Sequence, residues 1–225
     1  MKKTAILAMA AATMLTTSIG FAAPLTDYSA GKTSIDLTWR QSDVKATGDS
    51  ANGNFNKKGN VNFGITTGLG NNLAIQYSNS DSKSKDTGFV NATNNPFNAR
   101  ATLKMQEFNL LYKLDNNLSV YTGIASVKGE FNSDNGTSSS NTKNKLQFGL
   151  IGSTKLGDTT TAYAQVGFAS SFTNWKIGVS QEIAPNLELN VDYSQIKSKK
   201  MAFDNGMGDA DLTAKGLGIG ISYKF

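Results

Sequence analysis

Stretches of about ten residues in which every second residue is apolar recur along this chain, and they constrain its fold more than any other feature. TSIDLTWRQ sets Ile35, Leu37 and Trp39 against Ser34, Asp36, Thr38 and Arg40; VNFGITTGL sets Val61, Phe63, Ile65 and Leu69 against Asn62, Gly64, Thr66 and Gly68. A period of two is that of a β-strand with one greasy face. LAIQYS, EFNLLYKL, LSVYTGI, KLQFGLIGSTKL, TTAYAQVGF, WKIGVSQEI, LELNVDY and GLGIGISYKF bring the number to ten. Tyr121 falls on the polar face of its stretch, and Tyr163 competes with the alanines of its own. Without Ala162–Phe168 and Trp175–Ile183 as strands, eight would remain. Helical periodicity is nowhere as strong.

The connections are of two kinds that alternate. Tight-turn chemistry sits at Gly70-Asn71-Asn72, Asp115-Asn116-Asn117, Gly157-Asp158 and Ala184-Pro185-Asn186. Between these lie polar stretches, about residues 42–60, 79–101, 129–144 and 197–214, which read as long, low-complexity, mobile loops. One connection, Ser170 to Thr173, is short where a long one is expected. A ten-stranded antiparallel meander removes both of its edges by closing into a barrel.

Three features turn the greasy face of that barrel toward lipid. Gly64, Gly68, Gly123, Gly149, Gly178, Gly216, Gly218 and Gly220 all lie on the other face, where a narrow lumen needs small residues. Aromatic residues gather near strand ends: Tyr112, Tyr223 and Phe225 toward the tight turns, and Trp39, Tyr77, Phe168, Trp175 and Tyr193 toward the long connections. Long loops on one side and tight turns on the other is the asymmetry of bacterial outer-membrane barrels. The sequence thus resembles the small outer-membrane β-barrel proteins of Gram-negative-type bacteria, the OmpA-like and porin-like barrel domains, over residues 23–225. Leu217, Ile219, Ile221, Tyr223 and Phe225 look like the C-terminal assembly signal of that class, which its insertion machinery recognises. The resemblance implies an all-β, closed, up-and-down transmembrane barrel of ten strands with both termini periplasmic. Outer-membrane lipid and lipopolysaccharide would be its surroundings, and a monomer its expected state.

The beginning of the chain agrees. Lys2 and Lys3, the uncharged run from Thr4 to Ile19, and Gly20-Phe21-Ala22 form a secretory signal peptide over residues 1–22, cut after Ala22. The net charge of +5 falls to +3 without the two leader lysines, and the remaining cations are too scattered for a nucleic-acid footprint.

The chain has no histidine and no cysteine. The hydrolytic barrels of the resembled class use a histidine, and thiol catalysis and the usual zinc sites need groups absent here, so a non-catalytic protein without cofactor or metal is expected. Asp204, Asn205, Asp209 and Asp211 in DNGMGDAD lack the spacing of a calcium loop. Lys197, Lys199 and Lys200 could meet lipopolysaccharide phosphates or simply be solvated.

By parity the lumen-lining charges nearer mid-barrel are Asp36, Arg40, Glu107, Lys176 and Asp192. Lys113, Lys155, Glu182, Glu188 and Lys224 lie beside the tight turns. With the turn centred on Pro185, residue 178 faces 192, which predicts a diagonal Lys176–Asp192 ion pair and sets Glu182 opposite Glu188. Charges so enclosed make either a paired polar plug or a narrow wet channel. Three functions follow: a porin-like barrel with a narrow or plugged lumen that passes small solutes; a structural or adhesive barrel acting through its loops; and a soluble periplasmic carrier of an apolar ligand.

Overall fold

A computed structural model describes residues 24–48, 52–91, 94–134, 136–204 and 208–225. The segment read as a signal peptide lies outside the described residues, as does Asn205. The strands are β1 (Thr33–Gly48), β2 (Gly53–Gly70), β3 (Leu73–Lys83), β4 (Thr87–Val90), β5 (Pro96–Lys113), β6 (Leu118–Ser133), β7 (Gly136–Ser139), β8 (Lys143–Lys155), β9 (Thr160–Ala169), β10 (Phe172–Ala184), β11 (Leu187–Phe203) and β12 (Gly208–Lys224). All pairings are antiparallel. The circuit runs β1-β2-β3-β5-β6-β8-β9-β10-β11-β12 and returns to β1, whose Thr33 exchanges two backbone hydrogen bonds with Phe225.

The sheet therefore has twelve strands where the alternation predicts ten, and the register gives the reason. β3 pairs with Thr102–Tyr112 of β5, and β4 continues the same lane opposite Pro96–Ala99. Likewise β8 pairs with Leu118–Val127 of β6, and β7 continues that lane opposite Glu130–Ser133. Two lanes are interrupted, at residues 84–86 and 140–142. The polar stretches read as mobile loops are largely strand: β1, β2, β5, β6, β11 and β12 each run 16 to 18 residues. A membrane-spanning strand needs only about 9–11.

The extra length carries the fold's main surprise. In the turn-side half, Trp39, Phe108, Ile124, Ile177, Leu217 and Ile219 point outward and are exposed. In the loop-side half the apolar residues sit on the inward positions of the same strands, while Lys45, Lys104, Lys128 and Lys215 point outward. The backbone alternation is unbroken along β5, β6 and β12; the apolar identity moves from one face to the other between Phe108 and Met105, Ile124 and Val127, and Leu217 and Ala214. On β2 a bulge opposite Ser42–Val44 swings Phe55 inward.

Candidate functional site: the lumen at three levels

At the loop end, seventeen described residues from Val44 to Ala214 form one buried apolar cluster inside the ring. Leu103, Met201 and Leu212 are wholly buried, and the β4–β5 hairpin folds Phe89 and Phe97 against them. Phe97, Phe89, Phe55, Phe131 and Phe203 follow one another across the cap with ring centroids 4.8 to 5.9 Å apart. Contacts of this kind add about 0.5–1.5 kcal/mol each beyond the area they bury.

The cap also closes over the short β9–β10 hairpin. Ser140 bridges to Phe203, and Asp204 beyond it accepts hydrogen bonds from Ser139 N at 2.7 Å and Ser138 Oγ at 2.8 Å. These donors, the backbone N–H first, hold the Asp204 carboxyl below the usual aspartate range. β11 reaches this seam through a bulge at Lys199–Lys200, where Lys200 has φ of 51°. Asp204 thus belongs to a structural clasp, while Asp211 accepts from Lys200 N; no cluster suited to a metal occurs among the described residues.

The middle level is polar. Asp36, Arg40, Glu107 and Asp192, all expected to line the lumen, are buried there, and Lys176 lies with them, half-buried. Arg40 Nη1 stands 2.6 Å from Asp192 Oδ1 and also donates to the Gly216 carbonyl. The hairpin register is as expected, with Gly178 opposite Asp192 and the Lys176 ammonium within electrostatic reach of that carboxylate, and Arg40, two strands away, adds a direct ion pair to it. A guanidinium reaches farther across a lumen, and Gly218, whose Cβ would lie 3.0 Å from both Arg40 Nη2 and Asp192 Oδ2, leaves the room.

Glu107 accepts from Ser78 Oγ (3.0 Å), Gln147 Nε2 (2.8 Å) and Asn174 Nδ2 (2.8 Å). Gln147 also donates to Asn109, Asn109 to Gln76 and Gln76 to Thr66, so a belt of amides crosses the lumen from β10 to β2. Gly123 allows it, since a Cβ there would sit 2.3 Å from Asn109 Oδ1. Asp36 is held by Ser34 and Ser222. Breaking the buried Arg40–Asp192 ion pair by removing one partner costs about 3–5 kcal/mol.

At the turn end, residues 24–32 fold back into the opening, a feature the alternation could not reveal. Leu25 and Tyr28 are buried with Ala74, Leu111, Tyr121 and Ile151. Gly70 N donates to the Tyr28 carbonyl, Gly68 N to that of Lys32, and Lys113 Nζ to that of Thr26. Gly68 is required here, because a Cβ would lie 2.4 Å from the Ser29 carbonyl oxygen. At the rim Glu182 does face Glu188, whose charge is met by Lys224. Leu217, Ile219, Ile221, Tyr223 and Phe225 all face outward and are exposed.

A ring of strands with a greasy outer belt is the architecture that a sequence profile independently finds: the profile of the outer membrane protein β-barrel domain matches residues 8–225. The chain belongs to the outer-membrane β-barrel family. Its place is the bacterial outer membrane. Among solved structures, the outer membrane protease OmpT of Escherichia coli superimposes with a TM-score of 0.52 at 11% identity, over 86% of this chain and 96% of that one. Ail, the attachment invasion locus protein of Yersinia pestis, gives 0.41 at 17% identity over 87% and 99%. The toluene transporter TodX of Pseudomonas putida gives 0.41 at 9% over 92% and 95%. No curated protein sequence matches significantly. At 11% identity the OmpT likeness speaks for the fold alone.

Proposed function

We propose that this outer-membrane barrel is a closed, non-catalytic structural scaffold that spans the membrane and presents its loop-side half outside the cell, with its tight turns and termini in the periplasm. The observation that carries the reading is the apolar cluster of the loop-side lumen: among the described residues, hydrocarbon side chains pack across the ring between the polar middle level and the loop end. This favours the plugged form of the porin-like reading over a conducting one. It also favours a role for the outer surface of the loop-side half, where Lys45, Lys197, Lys199, Lys200 and Lys215 gather on neighbouring strands above the aromatic belt and suit lipopolysaccharide phosphates. The absence of histidine and cysteine from the whole chain supports the non-catalytic part, since neither a His-activated nucleophile nor a thiolate is available. Purified protein reconstituted in a planar bilayer is expected to show no unitary current steps above leak. Reproducible steps would overturn the closed reading.

A further inference from the structure

Residues 24–32 form a strap across the turn-end opening. Behind Thr33 at the foot of β1, Gly31 N donates to the Gly68 carbonyl and Gly70 N to the Tyr28 carbonyl, which fixes the strap beside the β2–β3 turn. The Thr26 carbonyl then accepts from Lys113 Nζ at the end of β5. Pro24 lines a hollow on the far side, among the turn-side ends of β8 to β12. The start of the described chain is thus carried from one wall of the barrel to the other.

Five charged side chains line that hollow, Asp158, Glu182 and Glu188 against Lys155 and Lys224. Among the described residues Lys224 with Glu188 is the one ion pair these five make. Glu182 stands directly opposite Glu188 across β10 and β11, where like charges repel. Glu188 Oε2 is buried and has no hydrogen-bond partner among the described residues. On the strap itself, the Asp27 carboxylate is taken up by Ser29. The hollow therefore lacks one positive, hydrogen-bond-donating group, and a buried carboxylate oxygen left without a donor is costly.

The sequence holds such a group next to Pro24. A leader cut after Ala22 turns the Ala23 nitrogen from a neutral amide into an ammonium. Ala23 lies outside the described residues, yet three bonds join its nitrogen to that of Pro24 and hold the two within about 4 Å.

We propose that the hollow is a binding site for an ammonium group, filled by the chain's own α-ammonium once residues 1–22 are removed. The proposal rests on the reading of those residues as a leader. Three carboxylates and two lysines leave a charge of −1, which the new terminus neutralises. An ammonium there relieves the repulsion between Glu182 and Glu188 and supplies the donor that Glu188 Oε2 lacks. Leader removal thereby fastens the strap across the opening, whereas the uncut chain offers a neutral amide at the same point.

Mature protein is extracted from outer membranes, its first residue is checked by intact mass, and it is labelled with trace 1-fluoro-2,4-dinitrobenzene over a pH series. The rate at the α-amine, read on the N-terminal peptide, gives the midpoint at which that amine loses its proton. Carboxylates around an ammonium favour its charged form, so the midpoint is expected about one pH unit above that of the same chain unfolded in urea. Glu182→Gln and Glu188→Gln should each close about half of that gap. Asp209→Asn, at the exposed loop end, should leave it unchanged. Glu182 is exposed, so its variant serves if Glu188→Gln does not fold.

A mass for a chain that does not begin at Ala23 would overturn the leader reading and the proposal with it. Equal midpoints in the folded and unfolded chains, or a raised midpoint that neither glutamine variant moves, would overturn the ammonium site and leave the leader reading standing.

Discussion

The two halves of this barrel use the same strands and the same alternation, yet they are built inside out with respect to each other. In the turn-side half the apolar side chains face outward and the lumen is glycine, amide and paired charge. In the loop-side half the lumen is Leu103, Val127, Phe131 and Leu212, and the outside is lysine, threonine and asparagine. A β-strand fixes that its side chains alternate; the medium beyond the wall decides which set is apolar. Where that medium is hydrocarbon, the greasy set turns out. Where it is water, the strand behaves as in any soluble protein and buries the greasy set.

The comparison can be broken by emptying each half in turn. Leu212→Ala removes a wholly buried side chain from the packed cap and is expected to cost about 2–5 kcal/mol, transfer plus cavity. Leu217→Ala, on the same strand but lipid-facing, leaves no cavity and should cost clearly less; equal losses in urea-driven unfolding from lipid vesicles would show that the cap is not packed as a core. Charge probes the opposite face. Ile219→Lys should cost about 2–4 kcal/mol, as for a lysine near the bilayer midplane, and impair insertion. Thr213→Glu, also outward on the same strand, should stay within about 0.5 kcal/mol. Similar penalties at the two sites, measured in the same vesicles, would erase the boundary drawn between the halves.

The smallest effect concerns the clasp of the cap. The carboxyl of Asp204 is held below its ordinary value of 3.8 by Ser139 N and Ser138 Oγ. Its contribution is therefore complete above about pH 3.8 and lost as pH falls through the lower folded value. Pepsin cleavage within residues 136–144 should rise across that acid range, and Asp204→Asn should raise cleavage at the upper end and flatten the pH dependence. A wild-type profile that Asp204→Asn leaves unchanged would remove the clasp from the account.

The turn-side half was legible in the sequence because its signals are local and repeated. Glycines on one face, aromatic residues at strand ends and tight-turn residues specify a lipid-facing wall without knowledge of what lies across the lumen. The loop-side half was misread as mobile loops although ARATLKM and ADLTA alternate as cleanly as any stretch in the membrane. Their apolar members are small or few, their neighbours are Lys, Asp and Thr, and the set lies on the face that was polar a few residues earlier. A displacement of three positions between successive apolar residues, as from Ile124 to Val127, was the available signal. The pairing of Arg40 with Asp192 was out of reach because it joins strands far apart in sequence, and hairpin register constrains only neighbours. The folded-back Leu25 and Tyr28 carry no periodicity at all.

The exchange of faces also fixes the vertical position of the protein. Sliding the wall outward by one residue pair, roughly 7 Å along a strand, would lift Phe108, Ile124 and Leu217 into water; sliding it inward would press Lys104, Lys128 and Lys215 into hydrocarbon. Around the long strands both displacements are opposed within the same few residues. The chain thereby carries its own depth gauge, and its immersion is set by where the greasy residues change sides.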